Sequence, residues 1–390
     1  MTKVNLTNGL AIFVLLGLAL SFAYPAFLIE SGSPKAIYYV MVILPGLILL
    51  CLDGAVFAES LKSNRGMQLV FIMLAYWCMT LLWGSEGVAG SQFRRMLAVL
   101  IYLCVVWHVF THYPQFITRF YFLLFVLFAV GVFWSLGTFP SVKILLGGHR
   151  LGNKAGFGQA IHAAHYYGVF FSLALGFLLF SKHRVLLILS GAVCGLALLA
   201  IILTKSRGSY LAVAVAVIFA AGLYVRHYKK YILAAGLCVV LALLALAIYH
   251  YYPAFILSRG SSHRYEIWAE AWHMIQGNFW LGIGLGERPG ITARGFAHAH
   301  NLYLNIWLTT GVFGLLLFLL AVGWVVARAI RRPLNKVAGC LTAMVFFLAA
   351  MMTDSQQLIN SPNEAWLCFW FCFACLAGCN AVNAAPVLAK

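Results

Sequence analysis

The chain has 390 residues, 64% of them hydrophobic and only 9% charged, with a formal net charge of +17. A mean hydropathy of +0.94 and apolar runs of bilayer-spanning length exclude a soluble core and define an all-α polytopic membrane protein. The positive excess points to anionic lipids or an anionic substrate; without a basic stripe interleaved with aromatics it gives nucleic acid no support as a partner.

The first apolar run, about Leu10 to Ile29, lacks a small-residue cleavage site and is followed by many more spans. It is expected to be a retained helix, with the mature protein starting at Met1. Charge and turn signals divide the chain into about 12 transmembrane helices. The first half gives approximately 10–29, 36–57, 67–83, 96–110, 119–137 and 161–180; the second gives 185–204, 210–226, 231–249, 302–327, 337–353 and 366–384. An even number places both termini on one side, together with the basic clusters at 182–184, 226–230 and 328–332, which marks that side as cytoplasmic. Nearly half of the 26 Lys and Arg then fall on the opposite side, where the positive-inside bias leaves few. Lys143, Arg150, Lys154, Lys205 and Arg207 have no acid in their own loops, and such cations near a membrane suggest an anionic ligand.

The loop from Lys143 to Gln159 is glycine-rich and basic and leads into a helix. Its amides, with Arg150 and Lys154, can hold a phosphate, or the loop is a turn whose cations touch lipid headgroups. His162 and His165 share one face of the following helix, but with no acidic or thiol partner in view packing is the better reading than metal ligation. Between the seventh and eighth spans, Thr204-Lys-Ser-Arg-Gly-Ser209 sets Arg207 at the outer surface beside Gly208, which lets a bound anion approach the backbone. The alternative is an arginine snorkelling from a tight turn.

The longest polar interruption, 253–300, lies between spans 9 and 10 and concentrates Arg259, Arg264, Arg288, Arg294, Glu266, Glu270 and Glu287 in a nearly uncharged chain. A loop this long is functional or disordered, and its aromatic, amphipathic content argues for function, so 253–300 is expected to be the working loop, on the outer side, of a single integral membrane domain. Ser262 can cap a helix running to about Gln276, with Tyr265, Trp268, Trp272 and Ile275 on an apolar face and Glu266, Glu270 and His273 opposite, as in an interfacial helix. Arg264 sits in its first turn, where a cation opposes the helix dipole unless an anion compensates it. Gly282-Ile-Gly284-Leu-Gly286 lacks the strand, helix and acid of a nucleotide fingerprint and reads as a flexible turn. Cys368, Cys372, Cys375 and Cys379 form a helical stripe in the last span, better read as packing thiols than as a cluster.

Arg264 with Trp268 at i+4, the Gly-x-Gly turn, Arg207 in the preceding outer turn, and His300-Asn301-Leu302-Tyr303-Leu304 at re-entry resemble the bacterial lipopolysaccharide O-antigen ligases. Their superfamily includes O-antigen polymerases and protein O-oligosaccharyltransferases. The resemblance covers the whole topology and implies transfer of a polysaccharide from undecaprenyl diphosphate to lipid A-core, with inversion, on the periplasmic face of the bacterial inner membrane. No cofactor or metal is expected: the chain has only two Asp, Asp53 and Asp354, and no D-x-D site, so Arg and Lys must neutralise the leaving diphosphate. Arg207, Arg264, Arg150, Lys154 and Lys205 are the diphosphate candidates. His300 is the candidate base, against a structural histidine on spacing alone. His298, Arg259, Arg288, Trp268, Asn301 and Tyr303 are secondary candidates. A transporter or flippase is the rival from another class, but the inverted repeats it predicts are not evident.

Overall fold

The computed structural model describes residues 3–27, 35–84, 86–138, 150–151, 159–251, 264–287, 298–354, 357–363 and 366–378. Every described element is helical. In chain order they are α1 (Lys3–Ala23), α2 (Lys35–Leu52), α3 (Gly54–Ser63), α4 (Arg65–Met79), α5 (Glu86–His112), α6 (Ile117–Thr138), α7 (Ala160–Phe180), α8 (Arg184–Thr204), α9 (Arg207–Tyr228), α10 (Tyr231–Tyr251), α11 (Arg264–Gly277), α12 (Leu302–Ala329), α13 (Leu334–Ala350) and α14 (Cys372–Gly378). Nine helices among the described residues are long and apolar enough to cross a membrane, so the protein is a multi-pass membrane protein. Each of the 12 expected spans overlaps a helix; the last ends at Gly378, beyond which the expectation lies outside the described residues.

The centre of the bundle is α7, packed against α8, α9 and α13. Small residues let these helices approach: a side chain at Gly176 would collide with the backbone of Ala338 and Gly339, and one at Gly168 with the Phe346 ring. Membrane helices, lacking a hydrophobic drive towards one another, associate through such close contacts. The connections divide between two ends. One carries 112–114, 181–183 and 330–333; the other carries 204–207, the α11 segment and 351–363.

The α11 segment departs from expectation in two ways. Its buried face is Ile267, Ala271 and Ile275, with Trp268 and Met274 half-buried beside it, while Tyr265 and Trp272 are exposed. The apolar face is therefore rotated by about one residue from the predicted one, because it packs on Ala299, Leu304 and Leu308 and not on lipid alone. Nor is 282–286 a flexible turn. Gly282, Gly284 and Gly286 take φ of 69°, 97° and 94°, and a side chain at Gly282 would strike the backbone of Thr309 and Gly311. Facing it, α12 is broken at Gly311 (φ 70°). The carbonyls freed by that break are bonded: Ile283 N–H donates to Leu308 O (2.9 Å), Gly284 N–H to Thr309 O (3.0 Å), and Tyr76 O–H to Thr310 O (3.1 Å). A break within a membrane helix is tolerated where protein groups satisfy the backbone in this way.

Candidate active site

The site lies where the segment preceding α12 meets the segment following α13. Asn301 caps α12: its side-chain oxygen accepts from the amides of Tyr303 (3.0 Å) and Leu304 (3.1 Å), and its amide nitrogen donates to Met352 O (3.0 Å). Leu302 N–H donates to Met351 O (3.0 Å) and Tyr303 O–H to Leu348 O (2.8 Å). Asn301 and Tyr303, expected near the substrate, thus tie the histidine loop to the end of α13. Ala299, fully buried under α11, anchors that loop between His298 and His300. Trp268 belongs to the same small core and its indole Nε1 is buried without a hydrogen-bond partner among the described residues.

This stitching brings His300 to Asp354. His300 has a left-handed backbone (φ 47°), and its Nδ1 lies 3.4 Å from Asp354 Oδ1. The opposite carboxylate oxygen is 3.8 Å from Nδ1 of His165, which projects from the first turns of α7. His300 is partly open, with 28% of its side chain exposed against 6% for Asp354, so the imidazole is the accessible member of the pair. His298 stacks edge-on beside it with ring centres 4.3 Å apart, and its Nδ1 accepts from His300 N–H (3.4 Å). Burial, then the neighbouring His300 and His162, push the His298 pKa below 6.5, while Asp354 opposes the shift.

Two arginines join this group. Arg264 opens α11; burial draws its pKa down, Asp354 pulls against the shift and Arg207 adds to it, so Arg264 lies within electrostatic reach of both. Arg207 opens α9 after a tight turn in which Lys205 takes φ 52°. A side chain at Gly208 would collide with Thr353, so this turn is seated against the residue preceding Asp354. Arg150 braces the same turn, donating through Nε to Thr204 O (2.7 Å) and through Nη2 to Lys205 O (3.3 Å). Two of its donors therefore hold the end of α8, whereas sequence alone suggested a phosphate ligand. Lys143, Lys154, Arg259, Ser262, Arg288 and Arg294 lie outside the described residues.

A cavity of about 500 Å³ adjoins the first turns of α12, directly after His300. Its wall includes Ser91, Gln92, Arg95, Glu287, Asn305 and Gln357, a mixed set of donors and acceptors. The Gln92 side-chain oxygen is buried with no hydrogen-bond partner among the described residues. Thr309 and Thr310, at the break in α12, line the same cavity.

Asp354 is the residue that sequence reasoning passed over. It was read only as evidence against a paired-carboxylate metal site, yet a lone acid at the end of an apolar span marks a functional position on physical grounds.

Residues 192–319, which include Arg207, Arg264, His298 and His300, match the O-antigen ligase family model. The chain is similar to the O-antigen ligases over that stretch. It is 31% identical over 226 residues to an O-antigen ligase of Pseudomonas aeruginosa (strain PAO1), an alignment covering 55% of this chain and 53% of that protein. The chain thus spans about half the length of the curated relative it matches. The family match stops short of Arg150, His165 and Asp354, whose place beside the matched residues comes from the fold.

Proposed function

We propose that the protein is an inverting, metal-independent glycosyltransferase that moves a polysaccharide from undecaprenyl diphosphate to lipid A-core on the periplasmic face of the bacterial inner membrane. The observation carrying this reading is His300, its Nδ1 3.4 Å from Asp354, in a site that also gathers Arg207 and Arg264. With Asp354 accepting from Nδ1–H, the lone pair on Nε2 takes the proton of an acceptor hydroxyl as that oxygen bonds to the anomeric carbon of the donor. The bond from the same carbon to the diphosphate oxygen breaks, and its electron pair leaves on undecaprenyl diphosphate. A single displacement inverts the centre. Asp354 stabilises the imidazolium that forms, as a buried carboxylate does for a catalytic histidine. Arg207 and Arg264, with Lys205 beside them, meet the charge developing on the leaving group. The cavity after His300, walled by Gln92, Arg95, Asn305 and Gln357, offers the alternating donors and acceptors that an acceptor sugar requires.

The test is a vesicle assay with purified protein, lipid-linked glycan and lipid A-core, run in excess chelator. The acceptor is expected to gain the mass of the glycan as undecaprenyl diphosphate is released. Extension of the donor glycan instead would make the protein a polymerase, and movement of donor lipid with no change in mass would make it a flippase. Activity lost to chelator and restored by magnesium or manganese would reject the all-cation account.

A further inference from the structure

At the end of the bundle opposite His300 lies a second cavity of about 420 Å³, within the roughly 300–1,000 Å³ of ordinary ligand pockets. Its lining has two characters. Lys182 and His183, from the turn between α7 and α8, face Arg332 and Lys336, from the turn leading into α13. Deeper in, the wall is Tyr121, Phe177, Val337, Cys340 and Leu376, with the Tyr121 hydroxyl already 3.2 Å from the Cys340 sulfur. Among the described residues no carboxylate lines the cavity. Neither Lys182 nor Lys336 has an ion-pair partner among the described residues.

This arrangement differs from the general basic character of that end. Arg65 and Arg328 each lie 5.8 Å from the Trp324 ring centre and are accommodated by it. Lys182 and Lys336 instead converge from two separate loops on one opening, where an anion seated between them would relieve their mutual repulsion. The opening lies at the ends of membrane-crossing helices, the level of lipid headgroups, and the interior offers an apolar wall with its one phenol satisfied. A free inorganic anion would use the mouth and leave that wall unfilled. Basic pockets between membrane helices that meet both demands suit a lipid phosphate with its hydrocarbon chain.

We infer that this cavity binds an anionic phospholipid, with its phosphate among Lys182, Arg332 and Lys336 and the start of one acyl chain along Phe177, Val337 and Leu376. The site is separate from the transfer chemistry and stands whether or not the protein is a ligase.

The experiment is native mass spectrometry of the full-length protein exchanged into detergent with equimolar phosphatidylglycerol and phosphatidylcholine. The wild type is expected to retain one phosphatidylglycerol at least tenfold over phosphatidylcholine. Combined Lys182→Ala, Arg332→Ala and Lys336→Ala should abolish that preference. Thr118→Trp, which fills the exposed rim without removing charge, should abolish retention by a different route. Arg226→Ala with Lys229→Ala and Lys230→Ala, a basic cluster at the same end outside the cavity, should leave retention intact. Equal retention of both lipids by the wild type, unchanged retention in both pocket variants, or equal loss in the cluster control would overturn the inference. So would displacement of the lipid by millimolar inorganic phosphate, which would make the cavity a plain anion site.

Discussion

The only two aspartates in the chain sit at opposite ends of the bundle, and each meets a histidine. Asp53, between α2 and α3, accepts from the Tyr113 hydroxyl at 2.6 Å and lies 3.1 Å from His108 Nε2. His112 lies alongside, its ring centre 4.7 Å from that of His108, and its Nε2 is 3.0 Å from Ser60 Oγ. Asp354 holds its two histidines more loosely, at 3.4 and 3.8 Å. Exposure of the carboxylate does not distinguish them, since Asp53 is the more open at 16%. The histidine does: His108 has 0% of its side chain exposed and His300 has 28%. Cations are the second difference, for Arg264 interacts with Asp354 and is itself acted on by Arg207. A histidine–aspartate pair whose imidazole is fully buried suits the joining of helices; under the proposed function, one with an open ring edge and an arginine beside it suits proton transfer and charge neutralisation.

The comparison is broken most sharply at His300. A general base contributes about a hundredfold to ten-thousandfold, so His300→Ala should nearly abolish transfer while donor binding survives. His298→Ala should be milder. Normal turnover by His300→Ala, or a dead His298→Ala beside an active His300→Ala, would move the base elsewhere.

The arginines come next. Charge-assisted hydrogen bonds contribute about 1.5 to 3 kcal/mol, so Arg207→Ala and Arg264→Ala should each lower transfer at limiting donor by roughly tenfold to a hundredfold. Lysine should rescue poorly where the contact is bidentate. Wild-type rates in either alanine variant would remove that residue from the diphosphate site.

The reach of sequence reasoning follows the same lines. Arg207, Arg264 and His300 were legible as candidates because a cation or an imidazole beside an apolar span costs free energy without a partner. Asp354 was not, because what gives it meaning is His300, 54 residues away in the chain. The helical spans were visible in hydropathy, since bilayer thickness fixes their length. The break in α12 was not, because Gly311 is one glycine among 35, and only the packed 282–284 backbone shows what the break receives.

Asp354→Asn and Asp53→Asn should separate the two regions directly. Asp354→Asn should slow turnover by about tenfold or more, as loss of an orienting partner does, with donor KM and thermal stability little changed. Asp53→Asn should leave turnover per folded molecule intact and lower stability by about 1–3 kcal/mol, because Tyr113 and His108 lose a charged acceptor within a buried cluster. Tyr113 holds its proton throughout the working range, its pKa pushed up to about 12 by burial and by Asp53, so the effect should not depend on pH near neutrality. The opposite pattern, a slow Asp53→Asn and a fragile Asp354→Asn, would reverse the assignment of the two ends.

A smaller effect concerns acid. The folded pKa of His298 lies below 6.5, its unfolded value, so unfolding takes up a proton in that window. Its contribution to stability is therefore constant above pH 6.5 and is lost as pH falls from there through the folded value. His298→Asn should flatten the acid-side decline in melting temperature. An unchanged slope would place the titrating group elsewhere.

The smallest expected effect is the most discriminating for Arg150, which sequence alone placed on the diphosphate and whose Nε and Nη2 bond the Thr204 and Lys205 carbonyls. If it acts by bracing the turn that presents Arg207, Arg150→Ala should lower transfer only by about fivefold, the equivalent of one hydrogen bond of about 1 kcal/mol. In an Arg207→Ala background it should then add almost nothing, because the side chain whose position it fixes is gone. If Arg150 touches the diphosphate itself, the two losses should multiply, as independent contacts do. The double-mutant cycle, read as kcat/KM at limiting donor, therefore distinguishes a brace from a ligand even though Arg150→Ala alone looks alike under both readings.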